Sequence, residues 1–566
     1  MTLLLTRTGA ATLCLLTFFS VAAAENRGLP PRTGIIGEVP VTIEEVIAQV
    51  LANNKDIELS RIDKGIAGFR VIAAKGAFDS FLGLDSTLGR SVTPVSSLIG
   101  GAASGKLTQR SFAAGPQLSG LLPRLGTSYQ VDFSSTRLTN DNPFTTLNPQ
   151  FPTSLGFSLS QPLVRGLRID ANRNRVEVAK KNESLSDEQF RQRVIEVVTQ
   201  AAQAYWELVF AYRNLRVQTE AVELARRQLE SNERMAKQGI LAPIDVVEAQ
   251  TQLATFEENA YRAQEALTRA ENGLKTLMLP NRADLLWARA LTPRTPMNVQ
   301  APLLPLSDAV NEALANRPEL AQVRISGEIN DNDSRLFRDQ TRPQVDLVAS
   351  YTSNGLAGQV LPPGPNPLTG STDALIGRLN ELSRLQGLAP LPPISFGGSG
   401  SGVPEVLVGS YGQSLSNLAS LNFPSAQVGL RFSFPLRNRT AEANLGMALA
   451  QGRRIQHQRE QLEQLIEADV RNSMQSVESA KARLDASTTA RRSAEAQYES
   501  EQRKFQAGTS TVFLVVQRQT AMVAARSREL RAQADLSRAV ADFDRSTSRT
   551  LRAHNINVKA TSAGRP

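Results

Sequence analysis

Apolar residues recur in alternating steps of four and three along one long stretch of the chain. From about Asp170 to Gln238 there is neither proline nor glycine. A repeat of 3.5 residues keeps one seam of a helix facing a partner and predicts a left-handed supercoil. At about 1.5 Å per residue this helix would be roughly 100 Å long, and an ordinary amphipathic core helix is the alternative interpretation. The seam consists of Val194, Val198, Ala201, Tyr205, Leu208, Tyr212, Leu215, Thr219 and Val222.

A second long helix is predicted from about Glu442 to Gln506, with an apolar seam that runs from Leu462 and Ile466 to Tyr498. Shorter return helices are expected at about Pro243–Leu279 and Thr511–Leu551. Each return helix is shorter than its long partner, and a short helical segment of about the missing length precedes the strands of each half. One short and one return helix together match one long helix, as in a tall wall of antiparallel helices. The short segments are Asp56–Ala74 and Glu319–Asp339, with joint pieces at Ile43–Asn53 and Leu306–Asn316.

Between the short and the long helix of each half, the apolar period changes from 3.5 to 2. Segments of about ten residues with one apolar and one polar face are typical of strands in a transmembrane β-barrel. A half-buried strand of a soluble sheet is the alternative interpretation. The apolar positions are Tyr129, Val131 and Phe133; Leu155, Phe157 and Leu159; Val345, Leu347, Ala349 and Tyr351; and Val428, Leu430, Phe432 and Phe434.

So few strands cannot close a channel-wide barrel within one chain, so subunits are expected to pool their strands. Leu118–Leu122 and Gly126–Leu138 resemble a hairpin beyond the pair of strands expected in the first half, which leaves the strand count open. The Gly397–Gly402 run is linker chemistry, since no lysine or helix start follows it as a phosphate loop requires. Loops are predicted at Ser91–Gln109, Asn140–Gln150 and Ser353–Pro424, the last with a short helix near Asp373–Leu385.

The chain repeats itself. A run of matches that includes Gly239 and Gly508 keeps a constant offset of 269 residues without a gap, and a second echo relates Leu51–Asn53 to Leu314–Asn316. The mature chain is therefore two copies of one module. The predicted domains are a signal peptide, a first helix-strand-helix repeat, a second such repeat and a disordered tail, at residues 1–24, 25–300, 301–552 and 553–566.

Export is predicted by the first residues, where Arg7 precedes an apolar run and Ala22 and Ala24 frame a cleavage site. The one cysteine, Cys14, lies inside that run, so the mature chain has none. No later segment holds 18 consecutive apolar residues, so a membrane could be entered only through strands closed into a barrel. The chain has 63 basic and 54 acidic residues, interleaved along the helices. This pattern favours solvated faces over a nucleic-acid surface, and it leaves open an attraction to anionic lipid headgroups.

Enzymatic chemistry finds little support. The only histidines, His457 and His554, are far apart and are expected on solvated helix surfaces, and no mature cysteine is present. We therefore predict no catalytic residue, no cofactor and no metal site.

These features together resemble the TolC family of outer-membrane efflux proteins. The resemblance covers nearly all of the mature chain, and Gln161–Leu163 leads into the first long helix as in that family. Its most specific marks are two turns, Met235–Gly239 with Asp245–Gln250, and Lys504–Gly508 with Gln517–Gln519.

The resemblance implies a mainly α fold with a membrane β-barrel portion, in which an antiparallel coiled-coil tunnel joins a barrel pooled from a homotrimer. It also implies an outer-membrane duct that extends into the periplasm and serves efflux or secretion of small molecules or proteins. The expected partners are outer-membrane lipid, a periplasmic adaptor and an inner-membrane transporter. A soluble periplasmic coiled-coil adaptor is the alternative function, although adaptors carry one hairpin and this chain has two.

The family pattern also points to a tunnel entrance and adaptor-contact turns at Gly239, Pro243, Asp245, Gly508, Ser510, Leu514 and Gln517. Acidic residues six and nine places after the second glycine ring the family's entrance, and here those places hold Leu514 and Gln517. The family's basic residue two places after that glycine is Ser510. We therefore expect an entrance that is less cation-selective, closed by an apolar ring of Val512, Leu514 and Val515. In the alternative interpretation the turn is shifted and acids such as Asp245 supply the ring alone.

Overall fold

The computed structural model describes residues 29–96, 105–142, 145–297, 304–361, 370–392 and 402–557. The predicted signal peptide, the glycine residues at 397–400 and the tail beyond 557 lie outside the described residues. In the described part of the chain, no helix is both long and apolar enough to cross a membrane.

Helices account for most of the described chain, and two of them are very long. The first spans 67 residues and the second 68, which confirms both long helices predicted from the apolar seams. The helices are α1 Ile43–Asn53, α2 Lys55–Lys75, α3 Ala171–Lys237, α4 Pro243–Met278, α5 Leu306–Asn316, α6 Pro318–Gln340, α7 Gly370–Leu385, α8 Tyr411–Ala419, α9 Arg439–Gln506, α10 Val512–Ser546 and α11 Thr550–Ala553.

Local chemistry explains several of the helix starts. At α1, Thr42 accepts a hydrogen bond from the Glu45 N–H, and the Glu45 carboxylate accepts one from the Thr42 N–H. Proline occupies the first position of both α4 and α6, where its missing N–H costs nothing. The second return helix is shorter than predicted, because α10 ends at Ser546 and Ser548 turns to a positive φ of 62° before α11.

Two compact units divide the chain, and each contains segments from both sequence repeats. We call them the helical unit, formed by Met1–Glu58, Arg193–Asn316 and Ile466–Pro566, and the sheet unit, formed by Leu59–Gln192 and Arg317–Leu465. In the helical unit, strands β1 Gly37–Val41 and β7 Arg289–Pro293 pair in parallel.

The core of the helical unit follows the predicted seams with local shifts. Along α3 the seam is buried from Val194 to Leu208, but Tyr212 is exposed. Around Tyr212 the buried side shifts to Ala211 and Gln218, because neighbouring helices cover a different stripe. Part of α9 keeps strict four-three steps through Ile466, Val470, Ser473, Val477 and Ala480. Four helices share one apolar cluster, built from Ala221, Val222, Ala225, Phe256, Ala260, Tyr498, Val515, Met522 and Val523.

The strands of the sheet unit are β2 Phe81–Pro94, β3 Lys106–Leu121, β4 Ser128–Asn140, β5 Leu147–Gln150, β6 Thr153–Pro162, β8 Gln344–Gly355, β9 Gly358–Val360 and β10 Phe423–Ser433. Six of them form one antiparallel path in the order β10-β8-β6-β4-β3-β2. The two short strands, β5 and β9, pair beside it.

An ion pair and a side-chain hydrogen bond join α3 to α6 in the same unit. Lys181 lies 2.6 Å from Glu328, and Asn174 donates to Asp333 at 2.7 Å.

The predicted loops are partly wrong. Strands β2 and β3 continue into Ser91–Gln109, and β5 occupies the end of Asn140–Gln150. The predicted hairpin is present as β3 and β4, but both strands are longer than expected, and β2 adds a further long strand. The sequence hides these strand ends because they are polar on both faces and are held by pairing with neighbours, not by burial. The segment Ser353–Pro424 contains the expected helix as α7 and also β9 and α8.

Candidate functional site

The six-stranded sheet has one apolar and one polar face, and its register shows this row by row. One row across all six strands is Leu82, Leu118, Val131, Phe157, Tyr351 and Ala426, and the adjacent row is Gly83, Gln117, Asp132, Gly156, Thr352 and Ser425. In these rows the apolar residues of neighbouring strands are aligned, as expected when one face contacts a single apolar medium, and nearer one end of the strands the same face carries Arg137 opposite Phe112.

The apolar side chains of this sheet are exposed to a degree that soluble surfaces rarely show. Leu82, Leu84 and Leu88 on β2 are 74%, 77% and 83% exposed, and Val428 and Phe432 on β10 are 74% and 67% exposed. Contiguous exposed apolar area of this kind marks a contact with lipid or with another protein.

Strands β2 and β10 terminate the sheet path, so each has one edge without a partner among the described residues. Both are long, with 14 and 11 residues. Since six strands alternate in direction, β10 of one copy would run antiparallel to β2 of another. Long, exposed edges with apolar side chains are the kind of strand edge that pairs with another chain.

The two predicted turns have the same backbone geometry. Gly239 has a φ of 72° and Gly508 a φ of 77°. After α3, the Ile240 N–H donates to the Met235 carbonyl at 2.9 Å and the Gly239 N–H to the Ala236 carbonyl at 3.0 Å. After α9, Thr509 and Gly508 make the equivalent bonds at 2.9 and 3.0 Å. Each turn is therefore a Schellman motif, which needs a left-handed residue directly after the helix.

The predicted acid Asp245 caps its own helix. Its carboxylate accepts a hydrogen bond from the Ala242 N–H at 3.2 Å, just before Pro243 begins α4. No contact in the described chain joins Asp245 to Ser510. The Ser510 hydroxyl instead donates to Glu501 at 2.5 Å.

Sequence reasoning missed Glu501, which lies seven residues before Gly508. The hydrogen bond from Ser510 and the ammonium of Lys504 at 3.4 Å hold the pKa of the Glu501 carboxyl below its ordinary value. The second turn therefore does carry an acid, but on the helix that precedes the glycine and not on the helix that follows it.

The expected apolar ring needs correction. Val512 and Val515 are 1% and 0% exposed, because both pack inside the helical unit and cannot contribute to a surface ring. Leu514 is 37% exposed, and Phe513, which sequence reasoning missed, is 57% exposed. Gln517 lines a groove of about 570 Å³ between α4 and α10, together with Phe513 and Glu248.

More exposed apolar side chains lie around the first turn. Ile240 and Ile244 are 68% and 70% exposed, and Val247 follows at 53%. Ile244 and Val247 lie one helical turn apart and so share one face of α4. The signal was present in the sequence, where apolar residues surround a glycine-proline turn that would otherwise be polar.

The two histidines lie in different environments. His457 is exposed and 3.0 Å from Glu460, as expected for a solvated helix. His554 is half-buried directly after α11, and burial lowers its pKa, so the expectation of a solvated surface was wrong there. Among the described residues, no group of three or more histidine, cysteine or acidic side chains could hold a metal ion.

Asp544 on α10 is half-buried, and desolvation raises the pKa of its carboxyl to about 6 despite the opposing charge of Arg549. The folded state holds this proton more tightly than the unfolded state does, so stability falls as the pH rises from about 4 to about 6 and stays reduced above that. We expect Asp544→Asn to stabilise the protein at pH 8 by on the order of 2 kcal/mol, and to change little below pH 4. Thermal unfolding of the detergent-solubilised protein between pH 4 and 8 measures this. A benefit that does not shrink on acidification contradicts the assignment to Asp544.

Comparison with known proteins finds a matching family model and several solved structures of similar fold. The family model described as outer membrane efflux protein matches residues 101–278 and 389–548. Among solved structures, the CmeC outer membrane channel of Campylobacter jejuni is 14% identical with a TM-score of 0.58, over 91% of this chain and 90% of that chain. The outer membrane protein VceC of Vibrio cholerae is 14% identical with a TM-score of 0.57, over 89% and 95%. The open-state MtrE outer membrane channel of Neisseria gonorrhoeae is 14% identical with a TM-score of 0.57, over 90% and 89%. A search of curated proteins finds no match to this chain.

Proposed function

Because the chain belongs to the outer membrane efflux protein family, we propose that three copies assemble into one duct that leads from the periplasm through the outer membrane. The family is one of efflux channels and not of enzymes, and membership does not favour a soluble periplasmic adaptor.

The main support for this proposal comes from the six-stranded sheet. One face of the sheet is apolar and can contact the lipid of a bilayer. The two outer strands each have an unpaired edge among the described residues, so β2 of one subunit can pair with β10 of the next. Such head-to-tail pairing closes a ring without leaving an edge, which satisfies every backbone group in lipid. Six long strands from each of three subunits make eighteen, the size range in which a barrel leaves an aqueous channel.

The remaining parts of the duct are assigned to the helices. In this proposal α3, α4, α9 and α10 line a periplasmic tunnel, and the turns after Gly239 and Gly508 lie at its entrance. The exposed Ile240, Ile244 and Phe513 there give a periplasmic adaptor an apolar contact, and an inner-membrane transporter loads the duct through that adaptor.

Native mass measurement of the detergent-solubilised protein tests the assembly. We expect a homotrimer, and a monomer or dimer would overturn it. Cysteines placed at successive positions along β2 and β10 should form disulfides between subunits. A trimer in which no such pair cross-links would overturn the pooling of all six strands and leave the family function intact.

The entrance is tested by Leu514→Asp combined with Gln517→Asp. Both positions follow Gly508 on α10 and are exposed. If they face the constriction, the added carboxylates concentrate cations there, so cation selectivity and block by multivalent cations from the periplasmic side should rise, the block by about tenfold or more. Planar-bilayer recording of reversal potentials and block measures both. Ser493→Asp combined with Ala496→Asp, at exposed positions of α9, is the control because it adds equal charge at the same spacing. Unchanged selectivity and block in the double variant would place the constriction elsewhere.

A further inference from the structure

A large cavity in the sheet unit lies where α2 ends and α3 and β2 begin. Its volume is about 930 Å³, at the upper end of the range for small-molecule sites. Seven lysine and arginine side chains line it against only two carboxylates, those of Glu177 and Asp339. Phe78, Ile169 and Val176 add apolar lining. The combination is strongly cationic and partly apolar.

Three of the seven cations already have carboxylate partners. Arg173 pairs with Asp170, Lys180 lies 2.7 Å from Glu177, and Arg342 lies 3.5 Å from Asp339. Within the described parts of the chain, no ion pair engages the remaining four, which are Lys75, Arg168, Arg335 and Arg338. All four side chains are exposed, so they are accessible to a ligand, and solvent screens their mutual repulsion.

The backbone groups around the cavity are already in use. Asp170 accepts from the Asn172 and Arg173 N–H groups at 2.8 and 2.9 Å, so the start of α3 is capped by the chain itself. The Gly166 N–H donates to Asp339 at 2.6 Å. Attraction for an anion therefore comes from the four free side chains and not from a helix terminus.

One buried polar atom in the lining also lacks a partner. Asn174 is 6% exposed and donates to Asp333 at 2.7 Å, but its amide oxygen has no hydrogen-bond donor among the described residues. A buried acceptor without a donor costs free energy. The oxygen itself is closed to solvent, so a ligand hydroxyl or ammonium group would reach it only after a neighbouring side chain moves.

We propose that this cavity binds a phosphate-type anion carried on a partly apolar molecule. Arginine forks match the geometry of phosphate oxygens, and three of the four unpaired cations are arginines. A phospholipid headgroup and a soluble organic phosphate share this chemistry. The lipid is also accommodated along β2, which begins three residues after Phe78 and exposes Leu82 and Leu84.

Native mass spectrometry of the delipidated protein tests the site, with binding counted per subunit so that neither oligomer size nor transport affects the result. The probes are dioleoylphosphatidylglycerol, dioleoylphosphatidylcholine and glycerol 3-phosphate. The variant is Arg335→Gln with Arg338→Gln. The matched control is Arg453→Gln with Arg454→Gln, which removes equal charge from exposed positions on α9 in the same unit.

We expect the wild type and the control to prefer phosphatidylglycerol to phosphatidylcholine, and the variant to bind it at least about tenfold more weakly. Glycerol 3-phosphate that binds as tightly as the lipid, with the same loss in the variant, assigns the site to a soluble organic phosphate. Equal binding by the variant and the control, or no preference for the anionic lipid, overturns the proposal. Arg168→Gln repeats the comparison with a single change if the double variant does not fold.

Discussion

Lys275→Ala is expected to destabilise the helical unit by about 3–5 kcal/mol, the usual cost of leaving one buried charge without its partner. Lys275 and Glu271 are both 0% exposed, and the Lys275 ammonium lies 2.6 Å from Glu271. It also donates to the backbone carbonyls of Trp287 and Arg289, at 3.1 and 2.5 Å. Arg32 binds the other oxygen of Glu271 at 2.5 Å. Loss of Lys275 therefore leaves the buried Glu271 carboxylate with Arg32 alone, and removes the ammonium donor from the Trp287 and Arg289 carbonyls.

Chemical denaturation of the detergent-solubilised protein, followed by circular dichroism, measures this effect. Arg269→Ala is the matched control, because Arg269 lies on the same helix and pairs with Glu265 at 2.6 Å, with both side chains mostly exposed. An exposed pair contributes only about 0–1 kcal/mol. Equal losses in the two variants would mean that water reaches Glu271 and that burial is not what makes Lys275 important.

Gly508→Val is expected to cost about 1–3 kcal/mol per subunit and to impair assembly, since a β-branched residue rarely adopts a φ of 77°. A side chain at this position would meet no atom within 4 Å, so backbone strain alone is responsible. The same argument applies to Gly239, where a Cβ also meets nothing. Because asparagine tolerates the left-handed region, Gly508→Asn should be milder.

The fraction of protein recovered as a native assembly, and its thermal midpoint, measure the effect. Ala496→Val is the control, because Ala496 is exposed in the last third of α9 and valine there costs only about 0.5 kcal/mol in helix propensity. If Ala496→Val and Gly508→Val reduce assembly equally, the left-handed turn is not essential.

The repeat in the sequence does not extend to the buried charges. An offset of 269 residues that aligns Gly239 with Gly508 also aligns Lys275 with Asp544. The first is a buried cation with a carboxylate and two carbonyls around it, whereas the second is a half-buried acid opposed only by the charge of Arg549. Both were expected as ordinary exterior charges, because helical spacing to residues of opposite sign does not report burial.

The sequence predicted the two glycine turns of the candidate entrance, but it did not predict the contacts of the residues that follow the second turn. The two glycines were found because a positive φ after a helix leaves a local signature that one residue carries. Because Ser510 replaces the family's basic residue, the sequence predicted only that an ion pair with Asp245 is absent. The structure shows that the Ser510 hydroxyl donates to Glu501 on the preceding helix. Val512 and Val515 were read as surface residues because apolar spacing at a helix start does not say which side the neighbouring helices cover.

The sequence by itself determined the elements: two long helices, their turns, the joint pieces and the alternation of the inner strands. These depend on periodicities and end signals within one segment, which no distant contact has to supply. Only the tertiary structure decided that β2 and β10 are the outer strands of the described sheet, that Lys275 is buried and that seven cations line one cavity. Those features arise where segments far apart in the chain meet, and the local pattern of each segment is compatible with many such meetings.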